Sequence, residues 1–178
     1  MTWDEYFLNM LEAVAAKSND QSSQHGAIIV DDKNRIIATG YNGFPRGVKH
    51  EGRQERPEKY HWIEHAERNA IYCAPRSCEG GTLYVDFFPC SDCARAIIQT
   101  GITRVVVSEQ SGRANVKGSD VQKAERWKDS QEIAKQMFRE AGVDFGERGC
   151  ARCGKNMEGE WAIICVDNKR YCRDCVIQ

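Results

Sequence analysis

The spacing of apolar residues in the first 60 positions predicts one amphipathic helix, one hairpin and one long loop. Apolar positions recur at helical spacing over 3–17, and Thr2 and Glu5 form the capping-box pattern at its start. Two apolar runs joined by the turn Asp-Asp-Lys-Asn predict a β-hairpin over 27–39. Glycine-rich turn residues then open a polar loop over 40–60. A loop of that length inside a compact domain is more often functional than idle.

From residue 63 onward, predicted helices and strands alternate, which is typical of an α/β fold. A strand, a helix and a second strand with short links predict a βαβ unit with parallel strands and a right-handed crossover. The expected elements are a helix over 64–74, a strand over 82–85, a helix over 90–99, a strand over 104–107, a helix over 120–141 and an edge strand at 143–145.

Composition and charge exclude some classes of protein. The 178 residues include 25 Lys plus Arg and 26 Asp plus Glu, so the net charge of -1 does not favour a protein that binds through a basic face to phosphate backbone. No apolar run approaches the roughly 20 residues needed to span a bilayer. The start, Met-Thr-Trp-Asp-Glu, is acidic where a signal peptide would be basic. We therefore expect a soluble cytoplasmic protein with no membrane partner.

The nine cysteines indicate metal binding. An odd number fits a fully paired disulfide framework poorly, and six of the nine form three Cys-x-x-Cys pairs, typical of metal ligation in a reducing compartment. Cys73, Cys78 and Cys165 remain, and we expect them to be small buried apolar residues. The three pairs are Cys90 with Cys93, Cys150 with Cys153, and Cys172 with Cys175.

One of these pairs belongs to a candidate catalytic zinc site. His65 and Glu67 stand at the start of one predicted helix, and Cys90 and Cys93 at the start of the next. A catalytic zinc keeps three protein ligands and leaves the fourth position to water, so His65, Cys90 and Cys93 are the expected ligands. Glu67 is then a proton shuttle and not a ligand. The alternative is a purely structural metal site.

The last 32 residues predict a second, structural zinc site. The pairs Cys150/Cys153 and Cys172/Cys175 are separated by 18 residues, and the sequence between them predicts a hairpin. So short a segment has too little core to fold alone, so the metal supplies its stability. We expect two domains, 1–146 and 147–178, the second a zinc-ribbon-like module. A redox role for its cysteines is the alternative, and capping of the first domain, subunit contact and nucleic-acid contact all stay open.

The pattern His-x-Glu followed by Pro-Cys-x-x-Cys is the signature of the zinc nucleobase deaminases. Within that superfamily of cytidine and deoxycytidylate deaminases, the chain most resembles the deoxycytidylate (dCMP) deaminases over about 13–107. The segments that carry the resemblance are GAIIV (26–30), GYNGFPRG (40–47), HAERNAI (65–71) and FPCSDC (88–93).

This resemblance implies a fold, a reaction and a set of contacts. The fold would be a three-layer α/β/α cytidine deaminase-like domain with a mixed five-stranded sheet, assembled into a dimer up to a hexamer. The reaction would convert dCMP to dUMP and ammonia, with a zinc-bound hydroxide attacking C4 while Glu67 shuttles protons. Asn42 would contact the sugar or base, although an Asn here also suits a role in stabilising its own loop. Arg76 would lie near the nucleotide, although it equally suits a helix C-terminus.

Two departures from the family pattern leave the substrate open. Members commonly carry a Cys and an Arg where this chain has residues 20–25, and often a Tyr where it has 108–110. Both segments lie near the nucleotide in the family, so phosphate recognition, the identity of the base and control by dCTP or dTTP are undecided. The alternative functions are base editing of tRNA or another polynucleotide, a riboflavin-pathway deaminase, and a non-catalytic zinc-stabilised binding protein.

Overall fold

A mixed four-stranded sheet forms the centre of the larger of two compact units, residues 1–145 and 146–178. The computed structural model describes residues 1–108 and 120–146 (backbone only for 120–126) and the backbone of 163–164 and 170–171. In the sheet order β2-β1-β3-β4, β1 pairs antiparallel with β2 and β3, and β3 pairs parallel with β4. The strands are β1 (Gly26–Val30), β2 (Ile36–Tyr41), β3 (Thr82–Val85) and β4 (Arg104–Val107). This arrangement confirms the predicted hairpin and βαβ unit.

Helices cover both faces of the sheet. This agrees with the central strand β1, which is buried along its whole length and has apolar side chains on both faces. In β1, Ile28 and Val30 pack on α1, while Ala27 and Ile29 join the larger core on the opposite face. The larger core also receives buried side chains from the other three helices. The helices are α1 (Trp3–Ala15), α2 (Ala66–Cys73), α3 (Ser91–Gln99) and α4 (Asp120–Ala141). The predicted three-layer α/β/α architecture is therefore confirmed.

The expectation of a fifth strand was wrong for the described residues. The segment expected at 143–145 forms only an isolated parallel bridge, between Asp144 and Arg104 of β4. Gly142 and Gly146, with φ of 71° each, turn the chain immediately before and after this segment. Too few extended residues remain between the two turns to continue the ladder.

Two local features also differ from the expectations. The segment over 40–60 is not irregular throughout, because Gly40 and Tyr41 complete β2 and Glu58–His61 forms a 3₁₀ helix. Cys73 is exposed and not buried, since it lies at the end of α2, where its sulfur accepts a hydrogen bond from Arg46 Nη2 at 3.0 Å. Cys78 is buried as expected, and Cys165 lies outside the described residues.

In the smaller unit, the described backbone forms a two-stranded antiparallel ladder. It pairs β5 (Ile163–Ile164) with β6 (Arg170–Tyr171), in the segment for which the sequence predicts a hairpin. The four tail cysteines, Cys150, Cys153, Cys172 and Cys175, lie outside the described residues. Among the helices that are described, none combines the length and apolar character needed to cross a membrane.

Candidate active site

Two helix starts bring His65, Cys90 and Cys93 together. His65 is the N-cap of α2 and Cys90 the N-cap of α3, both with extended backbone, and Cys93 follows in the first turn of α3. The Nδ1 atom of His65 lies 3.5 Å from the Cys90 sulfur and 3.4 Å from the Cys93 sulfur. All three possible ligand atoms lie within 4.8 Å of one another.

These distances fit a tetrahedral zinc ion. With Zn–S near 2.3 Å and Zn–N near 2.0 Å, tetrahedral angles place a nitrogen and a sulfur ligand about 3.5 Å apart. The chemistry of the set also fits, because one imidazole and two thiolates are ligands that zinc prefers in proteins. The geometry therefore accepts the metal that the sequence predicts, and Glu67 is not part of this cluster.

Contact between the two thiol groups moves their pKa values in opposite directions. A hydrogen bond from the Cys93 thiol lowers the pKa of Cys90 to about 4, against the opposing effect of burial, and contact with His65 lowers it further. The same hydrogen bond, with burial, raises the pKa of Cys93. A divalent cation replaces the shared proton when it binds to such a pair.

Glu67 lies beside the cluster in the first turn of α2 and is only 8% exposed. Burial raises the pKa of its carboxyl group, and the negative charge of Cys90 adds to this effect, while His65 opposes it. A carboxyl group whose pKa is raised holds a proton more readily than an exposed carboxyl group does. The side chain faces the same cavity as His65 and Cys90.

The cavity is lined by segments that are distant in the sequence. Aromatic side chains form part of its wall, and polar residues come from the loop before β1, the segment between β2 and α2, and the end of β3. The aromatic lining residues are Tyr60, Phe87, Phe88 and Trp127, and the polar or charged lining residues beyond the metal cluster and Glu67 are Asp20, Ser23, His25, Asn42, Arg56, Lys59 and Asp86.

Asn42 lines this cavity, but its side-chain amide is used within the protein. Its Oδ1 accepts a hydrogen bond from the His25 backbone at 2.8 Å, and its Nδ2 donates to Ser23 O at 2.9 Å and Asp20 Oδ2 at 3.3 Å. These bonds hold the 20–25 loop in place. The structure thus supplies the alternative structural role for Asn42, and its predicted substrate contact stays a prediction.

The structure does not bring Arg76 to the cavity. Its guanidinium binds Asp31 Oδ2 at 2.8 Å, in the turn that follows β1. The cavity lies at the start of α2, whereas Arg76 follows the end of that helix, about 12 Å away along an eight-residue helix. Arg76 is thus not among the described residues that line the cavity, and its predicted substrate contact stays a prediction.

The sequence analysis missed a histidine–aspartate pair in the cavity. Asp86 Oδ1 lies 3.0 Å from His25 Nδ1, and Asp86 Oδ2 accepts a hydrogen bond from Gly26 N at 3.2 Å. The His25 ring also packs against Phe87, at 5.6 Å between centroids. Sixty-one positions separate His25 and Asp86, so no local pattern could have joined them.

The helix α4 also reaches the site, which its helical pattern alone did not indicate. The Trp127 ring meets the His65 imidazole edge to face at 5.6 Å. Next to it, Ser130 Oγ accepts a hydrogen bond from Ser91 N at 3.0 Å, and Gln131 Nε2 donates to Phe88 O at 3.0 Å. These contacts fix Trp127 against a predicted metal ligand.

Residues 1–109 match the family model described as the cytidine and deoxycytidylate deaminase zinc-binding region. The chain belongs to this family. An uncharacterised deaminase of the luxG 3′ region of Aliivibrio fischeri is 41% identical over 80% of this chain and 90% of its own length. Mouse deoxycytidylate deaminase is 34% identical over 82% of this chain and 79% of its own. A dCMP deaminase of the cyanophage S-TIM5 superposes with a TM-score of 0.54 and 26% identity, covering 80% of this chain and 94% of the phage protein.

Proposed function

We propose that this protein is a zinc-dependent deaminase that hydrolyses dCMP to dUMP and ammonia. The observation that carries the proposal is the arrangement of His65, Cys90 and Cys93 as three ligands beside a buried glutamate that does not join them. The named activity of relatives such as mouse deoxycytidylate deaminase, 34% identical over most of this chain, supports dCMP as the substrate.

His65, Cys90 and Cys93 would hold the zinc ion. Zinc bound there would act as a Lewis acid and lower the pKa of a water molecule in the remaining position. The Trp127 ring, packed on the His65 imidazole, holds that ligand in orientation. The positive ends of α2 and α3 stabilise the anionic sulfurs.

Glu67 carries the protons of the reaction. Its carboxylate takes a proton from the attacking water and delivers a proton to N3 of the cytosine ring. It then takes the remaining proton from the hydroxyl group now bound to C4 and passes it to the 4-amino group, so that the C4–N bond breaks, ammonia leaves and the oxygen stays on C4 as a carbonyl. The burial that raises the pKa of Glu67 suits this alternation between two protonation states.

Further parts of the proposal concern the whole protein. We propose that Cys150, Cys153, Cys172 and Cys175 bind a second, structural zinc ion within a separate module over 147–178. The pairing of six cysteines into Cys-x-x-Cys motifs supports this, and it also supports a reducing compartment such as the cytoplasm. The strand β2, at the edge of the sheet in the described residues, supports assembly into a homo-oligomer, from a dimer to a hexamer.

Ammonia release from dCMP by purified protein and by Glu67→Gln tests the function. We expect the variant to lose about 10²- to 10⁴-fold in rate because its amide cannot exchange a proton. Its zinc content, measured by elemental analysis, should equal that of the wild type, because Glu67 is not a ligand.

The exposed Glu12→Gln on α1 is the matched control and should keep full activity. A Glu67→Gln protein that deaminates at the wild-type rate, or one that loses its zinc, would contradict the assigned role. Deoxycytidine and a cytosine-containing oligonucleotide belong in the same assay, and turnover of the oligonucleotide alone would favour the polynucleotide-editing alternative.

A further inference from the structure

The lysine that lines the cavity has no capacity left for a ligand. Lys59 is 2% exposed, and its ammonium group binds both oxygens of Asp20, at 2.9 and 2.8 Å. It also binds the Ser22 hydroxyl. A lysine ammonium has three donor hydrogens, and these partners use all of them.

Asp20 in turn shapes the loop that carries Ser22 and Ser23. Its Oδ1 accepts hydrogen bonds from Ser22 N at 2.8 Å, Ser22 Oγ at 2.9 Å and Ser23 N at 3.2 Å. These bonds, with the Lys59 ion pair, fix the two serine hydroxyls at the cavity. Ser23 lies on the cavity wall, and within the described part of the chain the proton of its hydroxyl has no acceptor.

Arg56 is the cavity-lining cation that keeps donors for a ligand. Its Nη2 contacts the hydroxyls of Ser22 and Ser23, each at the long distance of 3.4 Å. Among the residues that the structure describes, no carboxylate pairs with it. A guanidinium has five donor hydrogens in a planar fork, which suits the oxygens of a phosphate.

We infer that Arg56, with the Ser23 hydroxyl, binds the 5′-phosphate of the nucleotide and is the residue that selects a nucleotide over a nucleoside. The inference rests on the proposed function. A phosphate monoester carries up to two negative charges, and the guanidinium offers it a positive charge that no described carboxylate neutralises. The other basic side chains at the wall differ, because Lys59 is paired with Asp20 and the His25 imidazole contacts Asp86.

The test compares two ligand pairs in wild type and Arg56→Gln. In turnover, the ratio of kcat/KM for dCMP to that for deoxycytidine should fall about 10- to 100-fold in the variant, because a charge-assisted contact is lost. The change should appear mainly in KM. In calorimetry, the affinity for dUMP should fall by a similar factor while that for deoxyuridine stays constant. Arg56→Lys keeps the positive charge but not the planar fork of donors. Its kcat/KM ratio and its affinity for dUMP should lie between those of the wild type and Arg56→Gln.

Arg53→Gln is the matched control from the same loop. The Arg53 guanidinium lies 4.0 Å over the Trp62 ring and does not line the cavity, so this variant should keep the wild-type ratio. Equal losses for nucleotide and nucleoside in Arg56→Gln, or no loss for either, would overturn the inference. Calorimetry distinguishes failure of this inference from failure of the proposed function. A wild-type protein that releases no ammonia refutes the proposed function. A wild-type protein that binds dUMP and deoxyuridine equally, or does not bind dUMP, refutes the phosphate contact.

Discussion

At the scale of single residues, the ion pair between Lys59 and Asp20 combines burial with a position next to the cavity. Both side chains are almost fully inaccessible, with 3% and 5% exposure. Burial by itself would raise the pKa of Asp20, but the hydrogen bonds from Lys59 and Ser22 outweigh it and lower that pKa. The pair therefore joins the loop before β1 to the 3₁₀ helix that precedes α2.

Replacing Lys59 by Met should destabilise the protein by about 3–5 kcal/mol, because the substitution leaves Asp20 buried without its counter-ion. Urea unfolding monitored by circular dichroism at pH 7 measures this change. The control is Arg95→Met, which breaks an exposed pair with Asp92 at 2.5 Å and should cost less than about 1 kcal/mol.

The difference between wild type and Lys59→Met should shrink as the pH falls. In the wild type, the lowered pKa of Asp20 gives stability that is present above its unfolded value near 3.9 and is lost as pH falls through the folded pKa. In the variant, burial should dominate and raise the pKa of Asp20. The carboxylate is then protonated at a higher pH than in the wild type, and protonation removes the energetic cost of a buried charge without a counter-ion. A constant difference between pH 7 and pH 4 would show that the ammonium contributes only packing.

The three candidate zinc ligands and Glu67 could be found from the sequence because each lies within two or three positions of another member of the group. Such spacing at a helix start fixes the geometry locally, so the pattern can be read without the fold. The pairs His25–Asp86 and Lys59–Asp20 span 61 and 39 positions, and only the register of the sheet and the path of the loop bring them together. The position of Arg76 could not be predicted for the same reason, since its distance from the cavity depends on the direction of α2.

At the scale of elements, the contact of β2 with α2 depends on the absence of a side chain at Gly40. A Cβ atom there would lie 2.3 Å from Ala66 O, 2.3 Å from Ala70 N and 2.8 Å from Ala70 Cα. All three atoms belong to the backbone of α2, which cannot move away without moving the whole helix. Ala66 is also the residue between His65 and Glu67, so this contact sets the distance between the sheet and the first turn of α2, which carries Glu67.

Gly40→Ala should therefore destabilise the protein by about 1–3 kcal/mol or more, and it should lower kcat because the first turn of α2 must shift. Thermal unfolding and dCMP turnover measure the two effects. Gly43→Ala is the control, since the nearest atom to its Cβ is a Tyr41 ring carbon at 4.0 Å. If both variants behave like wild type, the packing of β2 on α2 is looser than the structure indicates.

The boundaries of elements were predictable where burial and periodicity agree. The strands over 82–85 and 104–107 and the helix over 120–141 have the predicted bounds, because apolar runs and a glycine or polar loop mark their ends. Gly40 was assigned to a turn because glycine is typical of turns. In the structure, however, glycine is required at this position because the backbone of α2 lies too close to allow a Cβ atom. The residues at 143–145 are typical of a strand, but the chain turns at Gly142 and again at Gly146. The segment between the two turns is therefore too short to form one, and the residue types alone do not show this.

At the scale of the whole molecule, the chain combines a deaminase domain with a cysteine-bounded tail. Zinc analysis of the purified protein should give two ions per chain, one at His65, Cys90 and Cys93 and one at the four tail cysteines. Cys172→Ser should reduce the count to one zinc ion per chain, because a four-thiolate site that loses one of its ligands also loses most of its affinity for zinc.

Cys165→Ser is the control for this substitution, since it lies in the same segment but outside the Cys-x-x-Cys pairs. It should keep both ions. One zinc ion per chain in wild type, unchanged by Cys172→Ser, would mean that the tail cysteines do not bind zinc, and thiol titration would then show whether they form disulfides.

The N-cap residues of α1, α2 and α3 differ between the helix far from the candidate zinc site and the two helices that form it. The helix α1, on the other face of the sheet, has a complete capping box, in which Glu5 N donates to Thr2 Oγ1 at 3.2 Å and Thr2 N to Glu5 Oε2 at 2.6 Å. In α2 and α3 the N-cap positions hold His65 and Cys90, and neither residue forms a side-chain capping hydrogen bond of the kind that Thr2 forms in α1. A Ser or Asp at such a position typically adds about 0.5–2 kcal/mol. The protein thus lacks an ordinary source of stability at two helix starts. A search for more stable variants would favour a Ser or Asp at positions 65 and 90, which would remove two of the proposed zinc ligands.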